Sequence, residues 1–288
     1  MSDEKIKIRL QGHEKFALRE GWLNKGLQLL PDNPDAFTRK DAPDQFGMGS
    51  NMVKSLRYWM RALGLTKEKG SAGVELTEIG ELVNEHDPYI EDRFTLWILH
   101  SNIAKNRELA TSWYMYFNHC DADDLDKKQV EGIVLREITK YAKGQKFSEK
   151  SVGNDVDVVL HMYCKTKDDS DPEEKNVSPF SELELIKLMD GKYYKNHPVK
   201  NGFSEYIVLY EIACRCEDEN HISIDELIYG DNGLANIYNL TGVLSNELLD
   251  RLANADFIDL NRTAGIDEIY YNQEWKPVDI VDMYYRSR

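Results

Sequence analysis

Residues 47–76, GMGSNMVKSLRYWMRALGLTKEKGSAGVEL, decide how this chain is read. Val53, Leu56, Met60 and Leu63 recur at spacings of three and four, the signature of one buried helical face. Lys54, Arg57, Tyr58 and Arg61 fall on a different face. A turn rich in lysine and glycine, residues 67–73, separates Leu65-Thr66 from Val74-Glu75-Leu76, as the wing of a winged helix-turn-helix would. A basic helix followed by a basic wing points to nucleic acid.

Upstream, Phe16 to Leu30 reads as a helix, with Leu18, Trp22, Leu23 and Leu27 toward one face before Pro31 and Pro34 end it. Asp41 to Phe46 has room for one short helix, and Ser50 can cap the helix that follows. Thr77 to Val83 reads as a closing helical turn. The order helix, short helix, helix, hairpin is that of a winged helix domain, whose third helix enters a major groove while the wing touches backbone.

Composition bounds the partners. The 288 residues are 41% hydrophobic, enough for two or three small cores, with a formal net charge of -15. Residues 1–80 hold 13 Lys and Arg against 11 Asp and Glu, a net of +2, and the remainder holds 23 against 40, a net of -17. Phosphate neutralisation supplies most non-specific affinity, so nucleic-acid contact is expected only in the N-terminal part, while the acidic remainder either meets protein or merely keeps the chain soluble. Apolar windows are broken by charges well before the ~20 residues of a membrane span, and no secretory signal opens the chain, so a cytoplasmic location is expected. Cys120, Cys164, Cys214 and Cys216 are too few and irregular for a disulfide framework.

Beyond the wing, the aromatics between Pro88 and Cys120 read as the core of two helices. Lys127 to Lys143 and a helix starting at Ser148 form a second helix-turn-helix outline, but Asp155 and Asp157 are expected on its exposed face, where they repel phosphate. Lys165 to Pro179 is acidic and reads as a linker or loop. Ile222–Tyr229, Leu234–Leu240 and Leu244–Ala255 read as three helices, followed by a hairpin of Phe257–Leu260 with Ile269–Tyr271. This third outline carries Glu247 and Asp250 beside a single Arg251 and reads as a protein-contact or packing module.

The segment His13-Glu14-Lys15-Phe16-Ala17-Leu18-Arg19-Glu20-Gly21-Trp22-Leu23-Asn24-Lys25-Gly26, followed by residues 47–59, resembles a bacterial family known as domain of unknown function 4007. The likeness continues through Leu76-Thr77-Glu78-Ile79-Gly80 and Asp87-Pro88-Tyr89 to Trp97, and more loosely over most of the chain. The resemblance implies genes beside reductase-like enzymes of the phosphoadenosine phosphosulfate type, including those of DNA phosphorothioation and phage defence. It defines no catalytic residues. The family often carries lysine where this chain has Ser50, which implies a weaker contact at that helix start.

The candidate DNA-binding residues are Asn51, Lys54, Ser55, Arg57, Tyr58 and Arg61 on the helix and Lys67 and Lys69 on the wing. Asn51, Ser55 and Tyr58 are the polar neighbours expected to reach base edges, and the cations are expected on bases or phosphate. Lys54-Ser55 ends no phosphate-binding loop, because Met48 and Val53 stand where that motif needs glycine. Cys214-Arg215-Cys216 with His221 lacks the usual zinc spacing, and no Gly-x-Ser-x-Gly elbow occurs, so neither metal, cofactor nor catalysis is expected. Arg19 and Trp22 serve either a shared surface or the core, Trp22 by packing and Arg19 by pairing with a carboxylate.

The chain is thus expected to be mainly α, with winged helix-turn-helix modules and small β-hairpin wings. The expected domains are 1–85, a helical middle at 86–167, an acidic linker at 168–179 and a second winged-helix-like domain at 180–288. The expected role is a non-catalytic accessory protein that binds double-stranded DNA. The alternative is a scaffold for a reductase-like sulfur-transfer enzyme, and self-association is open under either reading.

Overall fold

The computed structural model describes residues 6–70, 73–120, 123–164, 177–199, 202–216, 219–263, 265 and 267–288. The chain is mainly helical with small antiparallel sheets and divides into two compact units, Met1–Asn196 and His197–Arg288. The segments expected as an N-terminal domain and a helical middle both lie in the first unit. Of the acidic linker, residues 168–176 lie outside the described residues.

The first helix is shorter than its apolar pattern suggests. α1 spans Trp22–Leu29, and Gly21 at φ 73 stands before it in the left-handed conformation that glycine adopts without strain. The residues before it form a loop with Glu14 and Lys15 also at positive φ. Leu18 is nevertheless fully buried, so the apolar signal there records burial and not helix. α2 (Ala42–Phe46) and α3 (Ser50–Ala62) follow. β1 (Thr66–Glu68) and β2 (Val74–Leu76) then pair antiparallel, with Lys67 opposite Glu75. Gly73, at φ 102, lets the hairpin lie against the Pro34 carbonyl, where a Cβ would overlap that oxygen. The next residue, Val74, donates its N–H to the same carbonyl at 2.8 Å. α4 (Glu78–His86) is a full helix, capped by Thr77, and not a single turn.

α5 (Arg93–Ala104) and α6 (Thr111–His119) are buried on nearly every side and make the centre of the unit. Around them pack α7 (Lys127–Ala142) and α8 (Glu149–Tyr163). His100 shares a 2.7 Å hydrogen bond with the Tyr163 hydroxyl, and both rings meet Phe117 edge-on. A 3-10 turn, Pro179–Leu183, sets the buried Phe180 against Tyr163. The hairpin β3 (Ile186–Met189) and β4 (Lys192–Lys195) closes the unit through Asp190-Gly191, both at positive φ, a dipeptide that favours such two-residue turns.

Asp155 overturns the expectation that it is exposed on α8. It is 2% exposed and lies at a junction of three segments. One carboxylate oxygen accepts from the Gln11 backbone N–H and from His13 Nε2, both at 2.9 Å, and the other accepts from Ser112 Oγ at 2.8 Å. His13 Nδ1 accepts from the Lys15 N–H at 3.1 Å, which leaves Nε2 as the donor. The His13 ring stacks on Trp59 of α3 at 5.6 Å, and Trp59 meets Trp113 of α6 edge-on. Asp157, by contrast, is half-exposed and pairs with Lys127.

In the second unit, α9 (Glu205–Arg215) precedes β5 (His221–Ser223), α10 (Ile224–Tyr229), α11 (Leu234–Ile237), α12 (Gly242–Asn254), β6 (Asp259–Asn261), β7 (Glu268–Tyr270) and α13 (Pro277–Arg286). Its sheet runs β5-β7-β6. The helix expected from Ile222 begins later, because residues 221–223 pair with β7 and the Ser223 hydroxyl caps α10. Glu211 is fully buried on α9 and accepts from Tyr238 Oη at 2.7 Å and Arg215 Nη1 at 2.8 Å. No helix among the described residues is long and apolar enough to cross a membrane.

Truncating Asp155 to alanine leaves the donors of Gln11, His13 and Ser112 buried without their acceptor, and is expected to cost about 3–5 kcal/mol. Asp157→Ala, at the solvent-facing neighbour, is expected to stay within about 0.5 kcal/mol. Urea denaturation of the two variants followed by tryptophan fluorescence compares them, and equal losses would refute the assignment.

Candidate nucleic-acid interface

Helical spacing puts Lys54, Arg57 and Arg61 in one stripe on α3, because residues three and four apart are surface neighbours. Asn51 stands one turn earlier, exposed, and its Oδ1 accepts from Lys54 Nζ at 3.3 Å. On β1 the two-residue period divides the side chains. Thr66 is buried and Glu68 turns to α3, where it meets Arg57 at 2.7 Å and Arg61 at 3.7 Å. Lys67 and Lys69 take the opposite face and both meet Glu75 across the hairpin, Lys67 at 3.4 Å. The structure therefore brings four of the eight candidates, Asn51, Lys54, Arg57 and Arg61, together on α3, and turns Lys67 and Lys69 to the other face of the hairpin that follows.

Ser55 and Tyr58 are corrections. Ser55 is fully buried in the helix face that packs inward, and cannot present its hydroxyl to a groove. Tyr58 donates its hydroxyl to the Leu109 carbonyl at 3.1 Å and meets His13 and Trp59 edge-on. Burial pushes its phenol well above the usual range, so the ring acts as a neutral packing group. A helix turns about 100° per residue, so Ser55, one residue past Lys54, rotates toward the core, whereas Tyr58, one turn past Lys54, stays half-buried beside the stripe with its hydroxyl taken by Leu109.

The carboxylates were legible as letters but not as partners. Four of the five candidate cations meet Glu68 or Glu75, so much of the basic charge is neutralised within the protein. Among the described residues the hydrogen-bond partner of Lys54 is the neutral amide of Asn51. The alternation Lys67-Glu68-Lys69 opposite Glu75 was the available signal, since directly opposed charges in a hairpin pair. A cleft of about 370 Å³ opens beside the stripe, and Arg9, Phe37, Tyr58 and Leu109 contribute to its wall. These residues come from segments far apart in sequence, so no local pattern announced them.

The other singled-out motifs fall elsewhere. Trp22 is buried as expected of a core residue, while Arg19 lies over its ring at 5.7 Å and makes no ion pair among the described residues. On α12, Asp250 is bonded to Arg262 at 2.6 Å, and Arg251 stands 3.7 Å from Glu205. Cys120 and Cys164 are buried, and burial pushes the Cys164 thiol up to about 12. Among the described residues no group of three or more His, Cys, Asp or Glu side chains is placed to hold a metal ion.

Glu75 is held below the usual carboxylate range, first by its hydrogen bond to Lys69 and then by Lys67. A depressed folded-state value means that its contribution to the hairpin is present at neutral pH and is lost as pH falls through that value. Carbon-detected NMR titration should show the Glu75 midpoint rising toward an ordinary glutamate in Lys69→Ala. An unmoved midpoint would contradict the pairing.

Comparison with known proteins gives a family and two solved relatives. No curated protein matches the chain. A crystal structure of magnesium ion-bound SspB superposes with a TM-score of 0.86 at 25% sequence identity, covering 97% of this chain and 89% of that one. An SspB crystal structure without that description gives 0.84 at 24% identity, with the same coverage of 97% and 89%. The expected family resemblance extends over residues 10–285, and the chain belongs to the protein family of unknown function DUF4007.

Proposed function

We propose that this chain is a DNA-binding accessory protein of a bacterial DNA-modification or phage-defence system, with α3 and the β1-β2 hairpin as its duplex contact. The observation that carries the reading is the stripe of Lys54, Arg57 and Arg61 along one helix, followed directly by a hairpin that carries Lys67 and Lys69. α1, α2, α3 and the hairpin follow the order of a winged helix, in which the third helix enters the major groove. Asn51 is the side chain for base edges, and the cations of α3 and of the hairpin are the backbone contacts. The second unit follows the same order through β5, α10, α11, α12, β6 and β7, but α12 faces solvent with Glu247 and Asp250 and serves protein contact. Membership of the family supports the setting that the resemblance implies, beside genes of DNA phosphorothioation.

The intramolecular ion pairs make the charge conditional. Phosphate must displace Glu68 and Glu75 from their cations, so neutralising either carboxylate should strengthen binding. A second reading rests on the net charge of -17 beyond residue 80: the acidic body is a scaffold for a reductase-like enzyme.

Gel-shift and fluorescence-anisotropy titrations over a salt series test the proposal, with duplexes that carry or lack backbone sulfur. The triple change Lys54→Ala, Arg57→Ala and Arg61→Ala should flatten the slope of log K against log salt by about 3, roughly one unit per lost phosphate contact. Glu68→Gln should tighten binding severalfold. Unchanged affinity in a folded triple variant would refute the duplex contact, and enzyme capture that persists at high salt without DNA would favour the scaffold. Because one solved relative is magnesium-bound, supercoiled plasmid is incubated with protein and magnesium. The accessory role expects it to stay intact, and nicked product would overturn the non-catalytic part.

A further inference from the structure

The cleft beside α3 combines two chemistries that a basic stripe alone does not need. Its volume of about 370 Å³ lies in the range of small-molecule sites. Phe37, Tyr58 and Leu109 supply an apolar and aromatic wall, and Phe37 is braced by stacking on Phe46 at 4.9 Å. Tyr58 is fixed by its hydrogen bond to the Leu109 carbonyl, so the wall is rigid before any ligand arrives. Four cations line the same space: Arg9, Lys54, Arg57 and Arg61.

These cations are not equivalent. Arg57 and Arg61 are engaged by Glu68. Among the described residues neither Arg9 nor Lys54 forms an ion pair, and Lys54 Nζ donates to the Asn51 amide oxygen. The available positive charge is therefore at Arg9 and Lys54. The remaining carboxylate, Glu14, is exposed and can accept from an amino N–H, whereas it would repel phosphate placed against it.

We infer that the cleft receives a single nucleotide unit, its phosphate against Arg9 and Lys54 and its base against Phe37, Tyr58 and Leu109. The inference rests on the duplex contact proposed above, because the cleft shares Lys54, Arg57 and Arg61 with that surface. A duplex on α3 has a nucleotide within reach of the cleft, and extrusion of that nucleotide would fill it. Aromatic stacking and hydrogen bonding to the base edge are what hold extruded bases elsewhere. A free mononucleotide presents the same chemistry, and the experiment separates the two sources.

Duplexes with one mismatched pair, moved position by position along a fixed sequence, are titrated by anisotropy against the full chain. Extrusion is easiest at a mismatch, so one register should bind about tenfold tighter than the perfect duplex, and Phe37→Ala should abolish that preference while holding perfect-duplex affinity within about twofold. Arg9→Ala, at an exposed side chain, repeats the test should Phe37→Ala fail to fold. Calorimetry with each of the four deoxynucleoside monophosphates forms the second arm. Submillimolar uptake that Arg9→Ala removes would support the pocket with a free nucleotide as its source. Equal affinity for perfect and mismatched duplexes, with no mononucleotide uptake, would overturn the inference while leaving duplex binding intact. Absence of any duplex binding at low salt would instead strike the proposed function, and the mononucleotide arm would then decide the cleft alone.

Discussion

The buried carboxylate of Asp155 is the constraint on which the geometry of the first unit depends. A carboxylate removed from water is tolerable only when its oxygens are fully bonded, and here the donors come from Gln11, His13 and Ser112. Satisfying one anion therefore joins the N-terminal loop, α6 and α8. His13 carries the constraint onward, since its ring stacks on Trp59 of α3, and Trp59 Nε1 donates to the Phe16 carbonyl at 3.2 Å. The orientation of α3, and with it the direction of its basic stripe, is thus set from the inward side by a polar junction whose His13 and Asp155 stand 142 residues apart in sequence.

On the outward side, the same helix is held by charge. Glu68 ties Arg57 and Arg61 to the hairpin, and Glu75 gathers the two lysines across it. Exposed pairs of this kind add little stability, about 0–1 kcal/mol each, so their value lies elsewhere. They hold long side chains in place and lower the affinity for phosphate in general, leaving Lys54 and Arg9 as the less committed cations. On the proposed reading, such a surface would hold phosphate weakly without a specific partner geometry, which suits a protein whose net charge is strongly negative.

Much of the secondary structure was legible. α3 and its hairpin, α5 through α8, and α12 with β6 and β7 all follow from apolar spacing and turn residues. The failures have identifiable causes. Leu18 carried an apolar signal without a helix, because Gly21 and the positive-φ residues before it break the chain into a loop that is buried for other reasons. The β3-β4 hairpin was announced by Asp190-Gly191 and overlooked among short mixed residues. Asp155 looked like a surface charge because aspartate usually is one, and its burial depends on donors that no local window contains.

The candidate surface divides in the same way. Sequence by itself determined that a basic stripe recurs at helical spacing on α3 and that a lysine-rich hairpin follows, since period and turn chemistry are local properties. Only the tertiary structure decided that Ser55 faces inward, that the Tyr58 hydroxyl is taken by Leu109, that Glu68 and Glu75 occupy four of the five cations, and that Arg9, Phe37 and Leu109 complete a cleft beside Lys54. Those outcomes depend on contacts between segments distant along the chain, and the loop closures and buried polar bonds that select such contacts have no local sequence period.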